Sequence, residues 1–315
     1  MTHPAHLSLQ TQIQAPASVV MIRPHHFTPN SQTSADNSYQ SKTLADSSTD
    51  LAIKAFKQVT QVIDTLQAHG ITVHAFEDTT DKTPDSVFPN NWFSTHKNGQ
   101  VAIYPMYAEN RRLEKRQDII DMLQQSYKVN DIVNYSALTR QNQFLEGTGA
   151  MVLDHSNQIA YAANSKRITK TLFQQFCAEF NYQPMLFNAV DNNGTPIYHT
   201  NVLMSVATEF VLIGDEMIAS AAERLQVLDQ IKRSNKKVIS LTSDQIANFC
   251  GNALELTGKD ARLLAISQTA FNVLTAQQKH DIEQFSQILP LDVSALEYAG
   301  GSIRCMLAGI HLSQH

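Results

Sequence analysis

The sequence lacks several features that usually announce a function. Cysteine is scarce, with only Cys177, Cys250 and Cys305 among 315 residues. They are odd in number and far apart. No CxxC pair exists for zinc or redox chemistry, and a dense disulfide framework is excluded. Positive charge is not in excess either, with Lys+Arg 24 against Asp+Glu 29 and a formal charge of −5. Without a basic surplus to displace phosphate counterions, nucleic-acid binding has no support. No run approaches the ~18 consecutive apolar residues of a membrane span. The opening MTHPAHLSLQTQIQ has neither the basic region nor the apolar core of a secretory signal, so a soluble cytoplasmic protein without membrane partners is expected.

Glycine is sparse too, with eleven residues, yet four form two tight clusters, Gly147/Gly149 and Gly300/Gly301. Glycine costs backbone entropy, so clustering it in a glycine-poor chain points to unusual dihedrals or close backbone approach. Both clusters adjoin residues capable of chemistry, Glu146 and Cys305. Cys305 follows Gly300-Gly301-Ser302-Ile303-Arg304 and is the candidate nucleophile, although a thiol of pKa about 8.5 needs cationic neighbours or a histidine to ionise near neutrality. Cys177 and Cys250 sit in apolar helical patterns and read as core. His199 enters an apolar segment, Ile197-Tyr198-His199-Thr200-Asn201, which suits either a rigidly held proton-transfer group or a core histidine. Glu146 stands in an apolar stretch as either a site carboxylate or a paired surface charge. His25-His26 lacks any metal-ligand spacing, so no metal is expected. Gly147-x-Gly149 fails the GxGxxG pattern at Val152, and no GK[ST] loop appears, so no nucleotide or other cofactor is expected.

Residues 1–16 are polar and read as a loose N-terminal segment. Residues 29–48, rich in Ser, Thr, Asn, Gln and Asp, read as a long loop, with 29–40 as a lid over a pocket. Elsewhere β-prone runs, among them 19–23, 72–76, 201–206, 210–213 and 304–307, alternate with amphipathic helix patterns. One of these, 51–69, places Leu51, Ala55, Val59, Val62 and Leu66 at three- and four-residue steps. The alternation suggests repeated ββαβ modules without a linker between domains.

Several segments, taken in order, resemble the guanidino-group modifying superfamily of arginine deiminase, dimethylarginine dimethylaminohydrolase, agmatine deiminase and glycine amidinotransferase. They are Met21-Ile22-Arg23-Pro24, Phe88-Pro89-Asn90-Asn91-Trp92, Asn110-Arg111-Arg112-Leu113-Glu114, Leu145-Glu146-Gly147-Thr148-Gly149, Ala163-Asn164-Ser165-Lys166-Arg167, Tyr198-His199-Thr200-Asn201 and Gly300-Gly301-Ser302-Ile303-Arg304-Cys305-Met306. The chain looks most like the branch that hydrolyses citrulline. The resemblance implies an α/β fold, the pentein α/β propeller, with fivefold pseudosymmetric ββαβ modules around a central channel, here one catalytic domain over 17–313. It also implies roles: Cys305 as nucleophile, His199 as acid and base, and Glu146 as the carboxylate that orients the site. Arg111 or Arg112, together with Arg167, would grip an amino-acid carboxylate.

Two departures from the family pattern bear on the substrate. Arginine-using relatives carry carboxylates where this chain has Asn91 (or Asn90) and Asn201. A guanidinium is all donor and positively charged, whereas a carboxamide both donates and accepts. Amides at these positions suit a neutral ureido group, since an unpaired buried ion is heavily penalised. The expectation is a cysteine-dependent hydrolase of a small amino-acid substrate, citrulline. The alternatives are a deiminase or amidinotransferase acting on a guanidine, and a non-catalytic binding protein of the same fold.

Overall fold

The stripe Leu51, Ala55, Val59, Val62 and Leu66 is buried along one side of the helix Ser48–Ala68. This computed structural model of the chain describes residues 14–35, 37–41 and 48–315. The helix Ser48–Ala68 joins β1 (Ser18–Pro24) to β2 (Thr72–Asp78), which pair in parallel from Ser18↔Thr72 to Pro24↔Asp78. Parallel neighbours need such a crossover, and the same device recurs along the chain.

Four three-stranded sheets follow the same plan. They are β3 (Phe93–Thr95), β4 (Gln100–Ile103) and β5 (Asp131–Asn134); β6 (Met151–Asp154), β7 (Ile159–Ala163) and β8 (Gln183–Phe187); β9 (Met204–Val206), β10 (Phe210–Ile213) and β11 (Lys237–Ser240); and β12 (Leu254–Thr257), β13 (Arg262–Ser267) and β14 (Gln287–Leu291). In each, the first strand is antiparallel to the second and the third is parallel to it. The crossovers carry the helices Gln117–Ser126, Lys170–Glu179, Ala221–Arg233 and Ala276–Glu283. The fifth sheet draws on both ends of the chain: β15 (Ala308–Gly309) lies antiparallel to β1 through Val19↔Gly309 and Val20↔Ala308. Central strands such as β7 and β10 are buried throughout, which is why they read as continuous apolar runs rather than alternating ones.

A short turn precedes the first strand of every sheet. Pro89–Asn91, Gly147–Ala150, Thr200–Leu203 and Ile303–Met306 are single helical turns. The turn before β12 is closed by the Asn252 N–H donating to the Phe249 carbonyl at 2.9 Å. The first strands all reach one cavity, to which they contribute Ser94, Val152, Ser205, Leu254 and Ala308.

Three expectations need correction. The runs 201–206 and 304–307, expected as strand, begin in the helical turns Thr200–Leu203 and Ile303–Met306, and of the first only Met204–Val206 is strand. Their apolar character records burial, which helix and strand share, rather than sheet pairing. The amphipathic pattern over 112–126, which reads as a single helix, divides into a 3-10 turn, Asn110–Glu114, and the helix proper, Gln117–Ser126. The loose N-terminal segment ends before Gln14, whose Nε2 donates to the carbonyls of Leu153 (3.1 Å) and Val206 (2.9 Å). The rest of that segment, 1–13, lies outside the described residues.

Candidate active site

The turns that enter the first strands deliver the chemistry. His199 caps Thr200–Leu203 with extended backbone, and that turn is fixed by Thr200 Oγ1, which accepts from Ala163 N–H at 2.8 Å and donates to the Ala150 carbonyl at 2.5 Å. Glu146 caps Gly147–Ala150, and Cys305 lies within Ile303–Met306. A small cavity of about 20 Å³ is lined by Asn91, Arg111, Arg167, Tyr198, His199 and Cys305, with Asp85, Phe88, Thr33, Asn37, Ala299 and Gly301 completing the wall. A Cβ on Gly149 would collide with the Asn91 side chain and lie 3.0 Å from the His199 ring, so glycine there permits the two to approach. Gly300 adopts φ +78° with the Asn37 amide directly over it, which excludes a side chain on both counts.

One wall is built from charge. His199 Nε2 meets Glu146 Oε2 at 2.7 Å. Glu146 is fully buried and also accepts from Tyr107 N–H at 2.9 Å and from Arg167 Nη1 at 3.3 Å, with Arg111 Nη1 at 3.8 Å. Burial alone would push its carboxyl up, but Arg167, His199 and Arg111 outweigh that and hold it well below the usual range. Burial lowers His199 below 6.5 against the opposing pull of Glu146. Arg111 forks onto Glu114 at 2.8 and 3.0 Å, with Asp85 at 3.6 Å. With the Asn91 amide oxygen turned toward it, Arg111 also donates there from both Nη atoms, at 3.2 and 3.0 Å. Burial pushes Glu114 up to about 8 despite Arg111. Arg167 lies between the rings of Tyr107 and Tyr198, 5.2 and 5.8 Å from their centroids.

The opposite wall is built from amides. Asn201 Nδ2 and Asn252 Nδ2 each donate to Cys305 Sγ at 3.2 Å. Asn252 Nδ2 also donates to the Asn201 carbonyl at 3.0 Å, which ties the two turns together. Both asparagines are fully buried, and among the described residues neither Oδ1 has a hydrogen-bond partner. Cys177 and Cys250 differ: burial pushes each thiol up to about 12, and Cys250 Sγ donates to the Ala270 carbonyl.

Cys305, His199, Glu146, Asn91, Asn201, Arg111 and Arg167 are therefore brought together. Arg112 is not: it is half-buried, donates to the carbonyls of Met106 and Tyr107, and packs over Phe144. Asn90 is buried beside the cavity without lining it, and its carbonyl accepts from Thr148 Oγ1. Arg111 and Arg167, expected to grip a substrate carboxylate, direct their forks at the protein's own carboxylates. Asn252 was not among the expected site residues. The repeat could have revealed it, because each sheet's first strand is preceded within a few residues by a buried side chain of the site. The 29–40 loop contributes Thr33 and Asn37 to the cavity wall, and Asn37 Nδ2 anchors it to the Ala299 carbonyl at 3.0 Å.

A cysteine flanked by amide donors and a buried histidine–carboxylate pair thus share one cavity at the ends of repeated ββαβ units. Residues 23–312 match the family described as N,N dimethylarginine dimethylhydrolase, eukaryotic. The chain belongs to that family, and with it to the pentein guanidino-group modifying superfamily. Its fold is similar to that of the N-terminal domain of ArgZ bound to substrate, an arginine dihydrolase from the ornithine-ammonia cycle in cyanobacteria (14% identity, TM-score 0.72, covering 93% of this chain and 97% of that one). It is also similar to AgrE in complex with L-arginine (16%, 0.73, 93% of this chain and 40% of that one), so this chain spans about two fifths of AgrE. A dimethylarginine dimethylaminohydrolase adduct with S-methyl-L-thiocitrulline shares the fold as well (14%, 0.62, 93% and 99%). A search of curated proteins returned no match.

Proposed function

We propose that the chain is a cysteine-dependent hydrolase of a ureido amino acid and converts citrulline to ornithine, carbon dioxide and ammonia. The observation that carries this reading is the amide wall: the sulfur is flanked by two neutral carboxamides. Each donates one N–H to it and holds an unpartnered carbonyl oxygen. A ureido group offers both a carbonyl oxygen that needs donors and N–H groups that need acceptors, and it brings no charge to bury. On the charged wall the guanidinium groups of Arg111 and Arg167 already face Glu146, Glu114 and Asp85, so no unclaimed carboxylate awaits a guanidinium.

In the proposed reaction neutral His199 takes the Cys305 proton, and the resulting imidazolium is steadied by Glu146. The thiolate attacks the ureido carbon, forming the S–C bond, and amide N–H groups receive the developing oxyanion. The imidazolium then protonates the leaving nitrogen as the C–N bond breaks, which leaves a carbamoyl thioester-like intermediate. Neutral His199 next takes a proton from water. The hydroxide attacks the same carbon, and the thiolate departs. If ornithine departs first, the carbamate released breaks down to carbon dioxide and ammonia; if ammonia departs first, the N-carboxy-ornithine released breaks down to carbon dioxide and ornithine, so either order gives the same products.

The architecture behind this reading is one catalytic domain over 17–313, its five repeats arranged as blades of an α/β propeller. The meeting of all five first strands at one cavity supports that arrangement. The 29–40 loop serves as a lid that controls water at the intermediate.

A guanidino substrate is the rival reading, favoured by the match to a dimethylarginine hydrolase family and the fold shared with ArgZ. Steady-state kinetics on citrulline and arginine decides between them. Ornithine released from citrulline, with arginine nearly untouched, is expected. Arginine turned over as fast as citrulline overturns the reading.

A further inference from the structure

Behind the turn that carries Cys305 lies a second, small cavity of about 30 Å³, which the proposed reaction does not use. The two cavities share a thin partition. In Ile303–Met306, Cys305 lines the reaction cavity while its neighbour Arg304 lines the second. In Gly147–Ala150, Thr148 lines the second cavity while Gly149 packs against His199.

The lining of this second cavity is one-sided in charge. It includes one guanidinium, Arg304, and two imidazoles, His155 and His311, and no aspartate or glutamate among the described residues. The two imidazoles are stacked, with ring centroids 3.7 Å apart. His155 Nδ1 is engaged with the Tyr182 hydroxyl at 2.9 Å. Arg304 Nη1 donates to the Leu307 carbonyl at 3.0 Å, and among the described residues no carboxylate lies within ion-pair distance of the group. The other hydroxyls of the wall point elsewhere: Thr148 donates to the Asn90 carbonyl, Ser205 to that of Ala253 and Thr95 to that of Gly309.

A guanidinium partly removed from water with no carboxylate within reach among the described residues is costly, and burial pulls Arg304 down to about 10 against the opposing effect of the neighbouring Cys305. Burial, together with the nearby His311, His96 and Arg304, holds His155 well below 6.5. Both effects would be relieved by one negative charge placed in the cavity. The planar fork of arginine matches two oxygens of a carboxylate- or phosphate-like group.

We infer that the second cavity binds one small oxyanion, gripped by Arg304 beside the stacked His155–His311 pair, on the far side of the nucleophile's turn. The inference does not depend on the reaction proposed for the first cavity.

Calorimetric titration of the full chain with inorganic phosphate, at ionic strength held constant with chloride, tests it. Acetate in a parallel arm distinguishes a carboxylate ligand from an inorganic one. Saturable binding of one anion per chain is expected, weakened about tenfold or more in Arg304→Met and partly retained in Arg304→Lys. Histidine ring NMR on the unaltered protein supplies a readout that needs no variant. His155 and His311 should shift along the same isotherm while exposed His280 stays fixed. Absence of saturable binding overturns the inference. So does undiminished binding in a folded Arg304→Met protein, or an isotherm reported by His199 instead of His155 and His311.

Discussion

The two walls of the reaction cavity solve opposite problems. Around Glu146, charges are packed against charges: two guanidiniums and a histidine hold one carboxylate ionised, and every fork already has a partner. Around Cys305 there is no formal charge in contact with the sulfur, only the amides of Asn201 and Asn252. A buried ion pair contributes little net stability but loses heavily when one partner is removed, so the charged wall is suited to fixing geometry. An amide is cheap to bury and can both donate and accept, so the neutral wall is suited to adapting as charge moves from sulfur to oxygen. The comparison assigns positioning to one side and transformation to the other.

The sharpest way to break this division is at the sulfur. Cys305→Ala should lower ornithine release from citrulline by about 10⁴-fold or more while leaving the fold intact. Normal activity in that variant would exclude a covalent route. Iodoacetamide should label Cys305 and spare Cys177 and Cys250, whose thiols burial holds near 12. On the charged wall, Glu146→Gln should cost about 10³ in kcat by freeing the imidazole from its orienting partner. It should also cost about 3 kcal/mol in stability by leaving buried guanidiniums short of a counter-charge. The sign of the pH dependence follows. The folded Glu146 carboxyl titrates below 4.5, so its stabilisation is fully present above that value and is lost as pH falls toward the folded value. Thermal melts should therefore show a shallower acid dependence in Glu146→Gln than in the unaltered protein. An unchanged profile would place Glu146 outside the charged network.

The amide wall is probed more gently. Asn252→Ala and Asn201→Ala should each lower kcat by about 10², with smaller changes in KM. If KM rises while kcat holds, these amides bind substrate uniformly and do not serve the transition state. Asn91→Asp combined with Asn201→Asp should weaken citrulline turnover and tighten arginine binding by about tenfold, since each restores a charge. Isothermal titration with arginine measures this, and unchanged affinity would disconnect the amides from substrate choice. The smallest effect is expected at the 29–40 loop, where saturating substrate should slow proteolysis a fewfold. Equal cleavage with and without substrate would remove the lid from the scheme.

How legible all this was in the sequence depends on the length of the signal. The stripe on Ser48–Ala68 and the apolar runs of β7 and β10 are long enough for periodicity to find them. The short turns were not: four buried residues such as Thr200–Leu203 carry no period, and only their hydrogen bonds reveal a helical turn. Glu146 and Cys305 were betrayed by their glycines, which the close packing now explains. Asn252 had only Gly251 beside it and stayed hidden. Arg111 and Arg112 were indistinguishable because adjacent residues differ only in which way the turn faces them, and tertiary contacts decide that.

The pairing of β15 with β1 has a consequence in time. The partner of Val19 and Val20 is the segment just beyond Cys305, far away in sequence and made long after them. Domains assemble from the N-terminus as the chain emerges, and contacts between distant residues form late because loop closure must be met first. The wall bearing Glu146 and His199 can form while translation continues, whereas the thiol is set in place only when the last strand docks beside the first. A nascent chain thus carries an orienting apparatus with nothing to orient. The proposed nucleophile enters the pocket at the same step that pairs β15 with β1.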